Sequence, residues 1–163
     1  MPVLLLEFSN SVAAALDRHA RVWLGIVIAG CMGVVTWEAS IRRWWFDECF
    51  TAWVSRIPAG PDLLQALAAD GNPPLLYLLV KLPRAVFGEG ELAMRLPSLA
   101  AYAVAGIAAF AFVRKRCSTV AALFSVAMLL GSYMSFYAAE TRASALLLCF
   151  LAMALLSWQG AVS

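Results

Sequence analysis

Asp47 and Glu48 stand side by side in the stretch "WWFDECFTAW", residues 44–53, framed by three tryptophans and two phenylalanines. Paired carboxylates can act as a general base or hold a divalent cation. A carboxylate in the first turn of a helix is equally a normal terminus, satisfying free N–H groups and favouring the helix dipole. The two roles are compatible. A second cluster lies about 90 residues further on, in "YAAETR", residues 137–142, where Glu140 and Arg142 follow an apolar run. Charges there can be plain solvated flank, or a carboxylate and a guanidinium can hold a phosphate and its counter-charge, arginine being suited to a two-pronged phosphate contact. Lys81, Arg84 and Arg95 would add positive potential, or their stems would lie along apolar surface with the heads in water. Tryptophan is enriched at membrane interfaces, which accounts for much of the aromatic framing.

The elements that must position these groups are apolar helices. Hydrophobic residues make up 63% of the 163-residue chain and charged residues 13%, with a mean hydropathy of +0.82. Soluble domains are roughly 45–50% apolar, so the composition is that of an integral membrane protein. Runs long enough to cross a bilayer, or nearly so, are read at 22–37, 92–113, 120–137 and 143–160. Residues 1–21 then form a cytoplasmic N-terminus, because Arg18, His19 and Arg21 precede the first run. The segment 38–91 differs: it holds five of the seven prolines and charges of both signs. Its apolar stretch from Pro74 to Phe87 carries Lys81, Pro83 and Arg84, and a central cation costs about 2.5–3.5 kcal/mol on insertion scales. It is therefore read as a helix lying in the interface, with Tyr77, Lys81 and Arg84 sharing one face. From Asp47 onward, Phe50, Trp53, Val54 and Ile57 fall on one stripe, predicting a short amphipathic helix that starts there.

The basic turn Arg114, Lys115 and Arg116 favours the same side as the N-terminus. Four spans with both ends cytoplasmic satisfy both charge signals. That topology brings the 38–91 loop and the 137–142 turn to one extracytoplasmic face. The net charge of +2 is scattered, without the basic stripe of a nucleic-acid binder, so no nucleic-acid partner is expected. The four cysteines form no CxxC pair and the chain has one histidine, which argues against a zinc site or disulfide framework. No clear secretory signal is read at the start, since the apolar patch of "MPVLLLEFSNS" has no positive n-region before it and Glu7 interrupts it.

The ordered set "WWFDECFTAW", "DGNPPLLYLLVKL", "FGEGELAMRLPSLAAY", a basic turn and "SFYAAETRASALLL" resembles the N-terminal portion of GT-C fold glycosyltransferases that use polyprenyl-phosphate sugars. The group it resembles is the superfamily of protein O-mannosyltransferases and lipid A aminoarabinose transferases. The resemblance runs from about residue 20 to 155 and implies an all-α integral membrane fold, the N-terminal part of a GT-C domain over 22–163. By resemblance, Asp47 is the catalytic or acceptor-binding carboxylate, followed by Glu48, and Glu140 faces the same site. Asn72-Pro73-Pro74 stands where the family often has His-Pro-Pro, or a lysine in the histidine's place, near the donor phosphate. Asparagine carries no charge. Tyr137, Ala138, Glu140 and Arg142 match the family's "YAQEAR-Y" turn, with Ser144 where a tyrosine is usual. Asn72, Lys81, Arg84, Arg95, Tyr137 and Arg142 are thereby expected on the donor-phosphate side.

The implied reaction is sugar transfer from a polyprenyl-phosphate-linked donor to a lipid, glycan or protein acceptor, at the extracytoplasmic face of the plasma or inner membrane. Some GT-C enzymes use a divalent metal, but the sequence shows no strong ligand set for one. Family members have many more membrane helices than the four read here. The chain is thus expected to be truncated or to need a partner chain supplying the rest of the donor site. The alternative is a catalytically inactive remnant or a membrane binding subunit. A small transporter ranks last, because the proposed spans hold almost no interior charge.

Overall fold

The computed structural model describes residues 11–69 and 73–162, all helix, turn or coil with no strand among them. After a helical stretch at 11–18 come α1 (Ala20–Ile41), α2 (Phe46–Arg56), α3 (Pro61–Ala69), α4 (Pro74–Phe87), α5 (Glu91–Arg114), α6 (Thr119–Leu130), α7 (Met134–Ala138) and α8 (Ala143–Ala161). Three of these, α1, α5 and α8, are long and apolar enough to cross a membrane. At 1.5 Å per residue, α5 with its 24 residues reaches about 36 Å, beyond the ~30 Å of a hydrocarbon core.

The run at 120–137, expected as one span, is divided. α6 stops after 12 residues at Gly131, and a short α7 follows. Gly131 sits so close to the preceding turn that an added Cβ would lie 2.8 Å from the Ala127 carbonyl oxygen. The Ser132 hydroxyl then closes the end by donating to the Leu129 carbonyl (2.7 Å) while accepting from the Met134 N–H (3.3 Å).

α5 is the central helix. Its Leu99, Ala101, Tyr102 and Ala105 pack with Val35 and Ala39 of α1, Val126 and Leu130 of α6, and Ala145 and Cys149 of α8. Small residues at these positions let the helices approach closely, the usual means of helix association in lipid, where no hydrophobic force drives it. Gly106 is the tightest case, since a Cβ there would lie 3.0 Å from Leu130 Cδ1. Tyr102 ties α5 to the end of α6 by donating to the Leu129 carbonyl oxygen at 2.7 Å.

Polar contacts define the two ends of the bundle. At one end Arg114 pairs with Asp17 (3.1 Å), Thr119 also bonds Asp17, and Gln159 donates to the Phe112 carbonyl (3.1 Å). The segment between α1 and α5 caps the opposite end, where the 139–142 turn also lies. Ala52, Leu76, Val80 and Met94 join α2 and α4 to α5, and Val54, Leu63 and Tyr77 join α2, α3 and α4. Pro74 opens α4 in the first turn, where its missing N–H costs nothing, and Gly88 closes it at φ +85°.

α2 begins at Phe46, as the short helix read from Asp47 onward; it turns Glu48, Thr51, Ala52, Val54 and Ser55 inward, leaves Phe46 82% and Trp53 54% exposed, and sets the Phe50 ring edge-on against Tyr77 of α4. One expectation for this cap is corrected: the Tyr77, Lys81 and Arg84 face of α4, read as belonging to an interfacial helix, is turned toward protein. Tyr77 is buried, Lys81 donates to the Ile57 carbonyl that ends α2, and Arg84 lies 3.7 Å from Glu89.

Candidate active site

The site is built where the first turn of α2 meets the turn entering α8. Successive residues of a helix point about 100° apart, so adjacent Asp47 and Glu48 face different ways. Glu48 points into the protein and is 3% exposed. Its Oε1 accepts from Arg95 Nε at 2.8 Å and its Oε2 from Arg95 Nη2 at 2.7 Å, a two-pronged pair with the 1%-exposed Arg95. The same carboxylate accepts from the Thr141 N–H (2.8 Å), the Thr141 hydroxyl (3.2 Å) and the Trp45 N–H (3.1 Å). Arg95 Nη1 in turn bonds the carbonyls of Ala39 and Arg42. One buried pair therefore fastens the end of α1, the start of α2, α5 and the turn into α8. Burial alone would push the Glu48 carboxyl up, but the bonds from Arg95, Thr141 and Trp45 outweigh it and hold the group below its ordinary value.

Asp47 points outward, with its side chain 58% exposed, and its Oδ2 accepts from Arg142 Nη2 at 2.7 Å. On its other edge Arg142 Nε lies 3.0 Å from Glu140 Oε2, close enough for an ion pair although the angles fall outside those of a hydrogen bond. Glu140 also has Arg42 Nη1 at 3.9 Å, and the Arg42 guanidinium covers the Phe136 ring at 3.9 Å from its centre. Burial raises the Glu140 carboxyl above its ordinary value; Arg142 opposes this and the nearby Glu48 charge adds to it. Tyr137 packs edge-on against Phe136 and sits 6.0 Å beneath the Arg142 guanidinium.

A cavity of about 260 Å³ opens at the Asp47–Arg142 pair, lined also by Thr51, Tyr77, Thr141 and Ser144. Leu76, Ala143 and Ser144 are shared with an apolar groove of about 290 Å³ that runs along Leu146, Leu147 and Phe150 of α8. A polar chamber thus lies beside a hydrocarbon-lined one, with these three residues lining both.

Of the residues expected at the site, Asp47, Glu140, Arg142 and Tyr137 come together. Glu48 and Arg95 lie directly behind them, bound to one another and to the backbone around them, and neither lines the cavity. Lys81 and Arg84 are committed to Ile57 and Glu89, away from the cavity lining, and Asn72 lies outside the described residues. Thr141 and Arg42 carry contacts that no spacing signal announces. Among the described residues no group of three or more His, Cys, Asp or Glu side chains converges, and Asp47, Glu48 and Glu140 each face an arginine.

The family model for dolichyl-phosphate-mannose-protein mannosyltransferase matches residues 71–163, more than half of the chain, from the segment before α4 through Arg95, Glu140 and Arg142. No curated protein and no solved structure matches. With three helices able to cross a membrane and a polar site at one end of their bundle, the chain belongs to the dolichyl-phosphate-mannose-protein mannosyltransferase family, a family of membrane glycosyltransferases.

Proposed function

We propose that the chain serves sugar transfer from a polyprenyl-phosphate-linked donor to a hydroxyl of a lipid, glycan or protein acceptor, at the extracytoplasmic face of the cell membrane. The observation that carries this reading is the half-exposed Asp47 carboxylate beside Arg142 in a cavity that adjoins an apolar groove. Asp47 takes the proton of the acceptor hydroxyl as its oxygen attacks the anomeric carbon. The bond from that carbon to the phosphate oxygen breaks, and polyprenyl phosphate leaves with the electron pair. Phosphate is already a good leaving group, so positioning and charge stabilisation carry more weight than acid catalysis, and Arg142 supplies the charge. The groove beside α8 suits the prenyl chain. Support for the face comes from the basic turn Arg114–Arg116 at the end of the bundle opposite Asp47.

The test is transfer of labelled sugar in native membranes by the wild-type chain and by Asp47→Asn. Loss of about 10²–10⁴-fold is expected on removal of a general base. Undiminished transfer by Asp47→Asn would remove Asp47 from the chemistry, and no transfer by wild type, with any partner chain of those membranes present, would favour a binding subunit.

A further inference from the structure

Arg142 has two edges in two environments. Its inner edge, Nε, meets the buried Glu140, and its backbone is fixed because the Arg142 carbonyl accepts from the Ser98 hydroxyl at 3.2 Å. Its outer edge, Nη2, meets Asp47 through a single 2.7 Å bond at the cavity, where both side chains are partly exposed. The carboxylate read as the acceptor of a proton is thus occupied by the very cation read as the ligand of the phosphate.

Resting on the function proposed above, we infer that Arg142 is an exchange partner. Asp47 holds its outer edge while the cavity is empty, and the phosphate of an incoming prenyl phosphate takes that edge over, releasing Asp47 toward the acceptor hydroxyl. Three features make the exchange favourable. A phosphate offers more charge than a carboxylate and can accept from the guanidinium with two oxygens. The Asp47–Arg142 pair is partly exposed, and exposed pairs contribute little. Glu140 keeps the guanidinium in place while its outer edge changes partner, which makes Glu140 a positioning residue. Binding of the donor and unmasking of the base are then one event, so the base is not left free in the absence of donor.

The exchange is tested by binding rather than by transfer, which keeps it distinguishable from the reaction itself. Farnesyl phosphate is titrated calorimetrically into the full chain in detergent, with intrinsic tryptophan fluorescence as the check of folding. Asp47→Asn removes the competitor and should tighten binding about two- to fivefold, the factor set by releasing an exposed ion pair. Arg142→Gln should weaken binding, and in that background Asp47→Asn should add nothing. If Arg142→Gln does not fold, Arg142→Lys takes its place and the Asp47→Asn gain should shrink, since an ammonium lacks the two-pronged geometry. The inference is overturned if Asp47→Asn leaves wild-type affinity unchanged. It is overturned equally if Asp47→Asn tightens binding by the same factor with and without Arg142, which would be simple repulsion, or if wild type and Asp47→Asn both fail to bind. Loss of transfer in Asp47→Asn with unaltered farnesyl phosphate affinity would sink the exchange and leave the catalytic assignment standing.

Discussion

Replacing Arg95 by methionine removes the cation from the most buried ion pair among the described residues while filling much of its volume. The Glu48 carboxylate would keep the Thr141 and Trp45 donors but lose both prongs of the guanidinium, in a setting where it is 3% exposed. Breaking a buried pair by removing one partner costs about 3–5 kcal/mol, because the other charge stays buried and uncompensated. For a chain of this size that lowers the thermal transition by on the order of 10 °C. Adding Glu48→Gln should recover part of the loss, since the stranded charge disappears and only the neutral desolvation cost of the groups around it, about 1–3 kcal/mol, remains. Tryptophan fluorescence in detergent reads the transition. The pH dependence gives a sharper signature. In the wild type the Glu48 carboxyl is held below its unfolded value, so its stabilisation is present above the unfolded value and is lost as pH falls through the folded one. Without Arg95 its hydrogen bonds and its charge are gone while burial and the Thr141 and Trp45 donors remain, so the folded value rises toward the unfolded one. The stability of the variant should then fall less steeply than that of wild type as pH drops through the carboxylate range. A single-variant cost below about 1 kcal/mol, or a variant whose stability falls with pH as steeply as that of wild type, would refute the reasoning.

Other substitutions read separate contacts. Thr141→Val removes the hydroxyl bond to Glu48 but leaves the backbone one, and a loss of about 1 kcal/mol in the same unfolding assay is expected. Tyr102→Phe should cost no more than about 1 kcal/mol, because the Leu129 carbonyl that loses the phenol still accepts from Ser132. Gly106→Val drives branched methyls into Leu130 and should lower stability by about 1–3 kcal/mol, with Gly106→Ala milder because the flexible end of Leu130 can yield.

Helix identity was legible from apolar runs because a membrane span must satisfy its backbone internally and therefore reads as a long, nearly uncharged stretch. The division of 120–137 was less so. Apolar content continues through "LLGSYMSFY", and only Gly131 and Ser132 mark the stop, through a close backbone approach and a side-chain bond that hydropathy does not register. The α2 stripe predicted the helix but not its orientation. Beside a bilayer aromatic residues can face outward, and the inward face is set by Arg95, 47 residues from Glu48. Asp47 and Arg142 stood out by residue type, yet their pairing depends on two segments 95 residues apart meeting at one end of the bundle. Lys81 and Arg84 stood out by charge, whereas the carbonyl and carboxylate that engage them lie in other segments and are not visible in the sequence.

The 100° offset between Asp47 and Glu48 has a consequence for order as opposed to composition. The inward position must span from α2 to Arg95, Thr141 and Trp45 at once, and it uses the full length of a glutamate. Exchanging the two residues to give Glu-Asp would leave charge, mass and hydropathy untouched. The inward carboxylate would then be one methylene short of its three partners, while the outward one would overreach toward Arg142. Two isomeric chains would differ in stability and in site geometry together, so the dipeptide is read directionally, each carboxylate matched in length to the side it faces.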